Sequence, residues 1–258
     1  MRLRSSALAR HPDLRDVSRG PAAAFGRSDA AAIEPAGGDI PLLAPGDPRV
    51  DPRIATAFAG RSDMATQVRD LRSALSSRWH ADAPDVRRSV ALVGADPAAD
   101  VATVAANLAV ASAQFGWRTL LVDGDLAAPA QHRLFRLPGD AGLSTLLLQR
   151  APAELQPTAI ERLSLLAAGP APASPTELIE RQPLLDALDG VLARQRLVLL
   201  SLPMRGQPPR FGAIDTILSG FDGALTVASR HRSALGALQR LVEMLEEGGV
   251  PLLGTVVV

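Results

Sequence analysis

Two aspartates, Asp123 and Asp125, close an apolar run, TLLVDGDL (Thr119–Leu126), where a carboxylate pair can polarise water or hold a metal ion through water. Upstream, another apolar run, SVALVG (Ser89–Gly94), enters a loop, ADPAAD, and a helix-patterned stretch follows over Val101–Trp117. Strand, loop, helix and a second strand ending in Asp is the order of elements that grips phosphates. A working loop of the GxxxxGK[ST] type needs small residues so that backbone N–H groups can wrap the anion. It also needs a Lys for the β/γ charge and a hydroxyl for Mg²⁺. None of the 258 residues is a lysine. The strand-end aspartates also have a bland role open to them, capping the turn or helix that follows.

The stretch GADPAADVATVAANLAVASAQFGWRTLLVDGDLAAPAQHRLF resembles the cytoplasmic domain of bacterial tyrosine kinases that serve capsule and exopolysaccharide export. It looks most like the stand-alone form paired with a separate membrane chain-length determinant. In that family the helix start reads PGEGKSTVAANLA, and here it reads PAADVATVAANLA. By that resemblance Val101 stands at the Lys position and Ala102 at the Mg²⁺-ligand hydroxyl. Asp100 and Ala98 stand where glycines belong, and Pro97 and Thr103 are retained. The family's LLIDADLRRP appears as LLVDGDLAAP, keeping Asp123 and Asp125 with Ala127 at a basic position. Its YVIIDTPP appears as LVLLSLPM, with Ser201 at the second strand-end Asp.

Magnitudes give these changes weight. Two unit charges ~4 Å apart interact by roughly 4 kcal/mol at an effective dielectric near 20. Replacing Lys by Val removes an attraction of that order, and Asp100 set beside phosphates adds a repulsion of similar size. With about 1.4 kcal/mol per tenfold in affinity, several decades are lost. The resemblance implies ATP and magnesium as cofactors; the residues imply none. The family's tyrosine-rich target tail has no counterpart in these residues, which contain no tyrosine.

Composition sets further bounds. Formal net charge is +0, which gives a general nucleic-acid role no electrostatic support. With no cysteine there is no disulfide, thiol catalysis or Cys-ligated metal site, and no His spacing matches a zinc or hydrolase site. His132, in PAQHRLF, matches the family stretch after the Asp pair and is expected to seat that segment. His231, in SRHRS, reads as an exposed loop residue. No apolar run reaches the ~18 residues of a membrane span. The N-terminus carries charges too often for a signal peptide, so a cytoplasmic place, peripheral to the inner membrane through a partner, is the expectation.

The elements predicted around these residues are those of an α/β, doubly wound, mostly parallel sheet with helices on both faces, the P-loop NTPase-like class. Residues 1–53 read as a disordered extension, 54–80 as linker and helix, and 81–258 as the kinase-like domain. Ser62–Trp79 is predicted helical, with Ser62 as cap and Val68, Leu71 and Leu75 at helical spacing. In the family this helix carries an ExxRxxR pattern tied to ring-like self-association. Arg69 and Arg72 match it, while Thr66 replaces the Glu. Downstream, a short helix is expected at Gln131–Phe135, a buried Leu-rich face over Gly142–Gln149 and a strand at Leu163–Gly169. A helix over Ser174–Gln195 is split at Pro183, and Leu197–Leu202 is a strand. A helix at Ala213–Ser219, a strand at Gly223–Ser229, a helix at Ser233–Gly249 and a last strand in PLLGTVVV complete the alternation.

Three functions follow. The residues favour a degenerate kinase-like module, a pseudokinase, regulating polysaccharide chain length and export beside a membrane chain-length determinant or co-polymerase, with homo-oligomers as an option. The alternatives are an active ATP-dependent tyrosine kinase acting on a partner, and a relative of the partition and division-site ATPases. The HRLF…GLS segment and the RxxR helix favour the polysaccharide branch over the last.

Overall fold

The structure, a computed structural model, describes residues 42–60, 62–80, 86–149, 154–204 and 213–258. Strand β1 (Arg88–Gly94) lies near the middle of the sheet, buried along almost its whole length. It pairs in parallel with β5 (Leu197–Leu202) on one side and β6 (Gly223–Ala228) on the other. Strands β2 (Thr119–Asp123) and β4 (Leu163–Leu166) extend the sheet beyond β5, and β7 (Leu252–Val257) extends it beyond β6. A two-residue strand, β3 (Gln156–Pro157), adds an antiparallel edge, giving the order β3-β4-β2-β5-β1-β6-β7. The doubly wound, mostly parallel α/β fold expected from the sequence is the fold observed.

Alternation along the strands sorts two cores. Val90, Leu92, Leu121, Leu165, Leu199 and Val227 face helices α1 (Asp63–His80), α2 (Val101–Gln114) and α3 (Gln131–Leu134). Ala91, Val93, Leu120, Val122, Val198 and Leu200 face α4 (Leu143–Gln149), α5 (Pro175–Ile179), α6 (Leu184–Leu192), α7 (Ala213–Ile217) and α8 (Leu235–Glu247). Helices on both faces explain why the strands read as unbroken apolar runs.

Helix α2 carries the loop of interest and is buried at every position but Ala102. Its alanines let it lie close on the sheet. It stops three residues before the predicted end, because Gly116 takes a left-handed φ of 103°. The Gly116 and Trp117 N–H groups then donate back to Ala113 O at 2.9 Å and Ser112 O at 3.2 Å, a Schellman closure.

The expected disordered extension ends early, and residues 42–53 are a correction. Leu43 bridges to Phe58, and Val50, Ile54 and Ala57 join the core against α1 and α2. A side chain of α2 holds them. Asn107 Oδ1 accepts from Thr56 N–H and Thr56 Oγ1, each at 3.0 Å. Asn107 Nδ2 donates to Arg53 O and Thr103 O, each at 2.9 Å. Gln114 Nε2 donates to Thr56 O at 2.9 Å. Residues 1–41, the rest of that expectation, lie outside the described residues.

Other expectations shift locally. Ser62 Oγ accepts from Ala65 N–H at 3.4 Å, as its capping role required. Ser174 makes no side-chain cap, although Pro175 opens α5 as anticipated. Pro183 does divide that stretch, standing as the cap of α6. In α4 only part of the Leu-rich face is covered: Leu143 is fully buried and Leu148 is exposed.

Replacing Asn107 by Ala leaves the Thr56 N–H and two carbonyls without their partner in a buried place. We expect Asn107→Ala to lower the unfolding free energy by about 2–4 kcal/mol and to open residues 42–60 to limited proteolysis. An unchanged denaturation midpoint and cleavage pattern would contradict this role.

Candidate functional site, a loop at the head of helix α2

The carboxyl ends of β1, β2 and β5 meet at a crevice where the chain turns outward in both directions, the usual ligand position of such sheets. The Ala95–Asp100 loop lies over β1 and feeds α2. Across the sheet, register sets Asp123 on β2 beside Ser201 on β5, and Ser201 beside Leu92 on β1. The fold therefore sets Asp123 and Ser201 side by side at the end of the sheet from which the Ala95–Asp100 loop leaves β1.

Their chemistry is turned inward. Val101 is 1% exposed and belongs to the core shared with α1 and α2. Its Cγ2 lies 2.9 Å from where a Cβ on Gly94 would stand, so only glycine fits beneath it. The methyls of Val101 thus fill space at the foot of the loop, where the family resemblance calls for a lysine. Pro97 is exposed, Ala98 and Ala102 are half-buried, and the Thr103 hydroxyl is buried without a hydrogen-bond partner among the described residues.

Four N–H groups of the loop and first turn, those of Ala98, Ala99, Val101 and Thr103, already have acceptors within the chain. Asp100 Oδ1 accepts from Thr103 N–H at 3.1 Å and caps α2. Asp96 Oδ1 accepts from Ala98 N–H at 2.8 Å, Asp96 O from Ala99 N–H at 3.2 Å, and Ala99 O from Val101 N–H at 3.0 Å. Asp96 was not among the residues picked out from the sequence. The only trace of it there is an Asp followed by Pro, an ordinary turn opening. Asp100, expected as a repulsive charge beside phosphates, has a positive structural task as well.

Asp123 is 1% exposed and serves the next turn. Its Oδ2 accepts from the N–H groups of Ala130 and Gln131, each at 2.9 Å, and its Oδ1 from Asp125 N–H at 3.2 Å. Burial pushes its carboxyl up to about 6, against the pull of those donors and with a small addition from the Asp125 charge. Asp125 accepts from Ala128 N–H at 2.9 Å. Gln131, also missed from the sequence, is fully buried, and its Nε2 donates to Ala102 O at 3.1 Å, tying α3 to the first turn of α2. Ser201 is buried and its hydroxyl has no partner among the described residues. Beyond Asp125 an open hollow of about 600 Å³ is lined by Gly124, Asp125, Ile179, Glu180, Leu202 and Ile217 among others. Among the described residues no group of three or more His, Cys, Asp or Glu is placed to hold a metal ion.

The remaining candidates lie elsewhere. His132 packs its ring against Gly139 and is held below its usual range by burial and by Arg133; His231 is exposed. Arg72 stacks over the Phe115 ring, 3.9 Å from its centroid, and burial lowers its pKa. Arg69 is half-buried on the same helix. Arg72, a self-association candidate by the family pattern, thus has an aromatic partner within its own chain. Among the described residues no helix is long and apolar enough to cross a membrane.

No protein-family model matches the chain. It is 30% identical over 173 residues to the tyrosine-protein kinase YwqD of Bacillus subtilis, covering 66% of this chain and 71% of YwqD. CapB of Staphylococcus aureus, named as a tyrosine-protein kinase, is 30% identical over 145 residues, 55% of this chain and 62% of CapB. The chain thus spans less than two thirds of CapB's own length. Among solved structures, the chimerical protein CapA2B2 superposes with a TM-score of 0.68 at 29% identity, over 80% of this chain and 89% of that one.

Asp123 ionises near 3.8 in the unfolded chain and near 6 in the fold. Between those values the folded state keeps a proton that the unfolded state has lost. The protonated group thus stabilises the fold fully below pH 3.8, and this contribution disappears as pH rises through about 6. Comparing wild type with Asp123→Asn by chemical denaturation, we expect wild type to lose about 3 kcal/mol relative to the variant from about pH 3 to pH 7. A difference that stays flat, or moves the other way, would contradict the burial of this carboxyl.

Proposed function

The chain belongs to the bacterial tyrosine-protein kinase family, and from that premise we propose that it works without a nucleotide. In this reading it is a regulator or scaffold of capsule or exopolysaccharide chain length and export. It is seated at the inner membrane against a chain-length determinant. The observation that carries the reading is Val101, packed on Gly94 and 1% exposed where the family's lysine stands. A buried isopropyl group offers no charge to a β- or γ-phosphate, and the loop has Asp96 and Asp100 in its place.

Supporting geometry extends to the metal side. Ala102 has no hydroxyl, and Ser201 supplies no carboxylate next to Asp123 in the sheet. Asp123 gives its lone pairs to three backbone N–H groups, so it serves the fold first. The kinase reading, with ATP and magnesium, keeps one observation in its favour: Asp125 still borders the hollow between β2, β5 and α5. For that chemistry a phosphate would have to displace two carboxylates that are already hydrogen-bonded. The cost is at least that of the bonds lost, about 1.5–3 kcal/mol for each bond to a charged group.

Titration calorimetry with Mg-ATP separates the two readings, and we expect no saturable heat at millimolar ligand. A Mg²⁺-dependent isotherm would overturn the proposal. Co-purification with a two-helix membrane partner in the absence of ATP is the positive counterpart. Restoring Val101→Lys alone is expected to give no ATP turnover, because Asp96, Asp100, Ala102 and Ser201 are unchanged. Overpacking at that buried place lowers stability by about 1–3 kcal/mol. Turnover by this single variant would refute the account.

A further inference from the structure

We infer that Asp96 and Ser233 form a latch in which a carboxylate of this chain takes the place of a phosphate and holds the loop closed without any ligand. This rests on the reading above and adds the regulation of the same site: the loop has one state, set by the chain itself.

Four hydrogen bonds stitch the loop shut. Asp96 Oδ1 accepts from Ala98 N–H at 2.8 Å and from Ser233 Oγ at 3.1 Å. Ser233 Oγ in turn accepts from Ser229 N–H at 2.8 Å, directly after β6. Ala95 N–H donates to Val227 O at 2.8 Å. The loop after β1 and the turn after β6 are therefore fastened through one serine hydroxyl, which donates to one and accepts from the other. Arg240 of α8 lines the same hollow as Asp96. An oxyanion in such a loop would take the Ala98 N–H and the hydroxyl that Asp96 takes here. In an ordinary phosphate loop that anion arrives and leaves with the nucleotide. Here it is part of the chain, so partner binding should not depend on a nucleotide cycle.

Amide hydrogen exchange on the full chain tests the latch, read over residues 95–103 and 229–234. Wild type should be protected without ligand and unchanged by inorganic phosphate. Ser233→Ala and Asp96→Ala should each speed exchange in both segments, by about five- to tenfold for the loss of one or two hydrogen bonds. Asp96→Asn, which keeps an acceptor oxygen, should retain most of the protection. Inorganic phosphate should slow exchange in Asp96→Ala while leaving wild type untouched. If Ser233→Ala exchanges like wild type in both segments, the latch is wrong. If Asp96→Ala loosens and phosphate does nothing, the carboxylate is no phosphate surrogate. Protection of wild type by Mg-ATP would instead sink the nucleotide-free reading, and Ser233→Ala would still judge the latch. Should Asp96→Ala fail to fold, Ser233→Ala and Asp96→Asn decide the matter.

Discussion

A helix packed on nearly every side cannot leave the N–H groups of its first turn to water, and this constraint organises the whole crevice. Helix α2 is such a helix, enclosed by the sheet, α1 and the segment around Thr56. The donors at its head need acceptors. In a nucleotide-binding protein the phosphates supply them. In this chain Asp100 Oδ1 takes the Thr103 N–H at 3.1 Å and Ala99 O the Val101 N–H at 3.0 Å, while Asp96 Oδ1 holds the Ala98 N–H of the loop that leads in, at 2.8 Å. On the reading proposed above, a triphosphate would meet these two carboxylates and no lysine.

The second half of the crevice follows the same pattern of reuse. Asp123 sits at the strand end where a catalytic carboxylate would be, yet its oxygens organise the turn into α3. Gln131 then carries that turn back to Ala102 on α2. Groups positioned by the fold for phosphoryl chemistry thus bind β2, α3 and α2 to one another.

Much of this was legible from residue types. Unbroken apolar runs gave the parallel strands, Pro175 and Pro183 marked where α5 and α6 begin, and Ser62 marked α1. The family pattern fixed the register that put Val101 at the lysine position. The rest depends on contacts far apart in sequence. Residues 42–53 have a disordered composition and are ordered by distant contacts: Val50 and Ile54 enter the core, Asp51 N–H donates to Leu134 O, and Asn107 reaches across 51 positions to Thr56 just beyond them. Asp96 looked like an ordinary turn residue because its partner Ser233 lies 137 positions away. Asp100 carries a charge that would repel a phosphate, and as a short acceptor before a helix it also caps that helix. Arg72 matched a self-association pattern, but Phe115, brought beside it by the end of α2, gives it a partner in its own chain.

The most direct measurement is a crystal structure grown with magnesium and a non-hydrolysable ATP analogue. Val101 should still be seated on Gly94, Asp96 on the Ala98 N–H and Asp100 on the Thr103 N–H, with no triphosphate along the loop. A triphosphate cradled between Pro97 and Thr103, with both carboxylates swung away and a metal at Asp123 or Asp125, would contradict it.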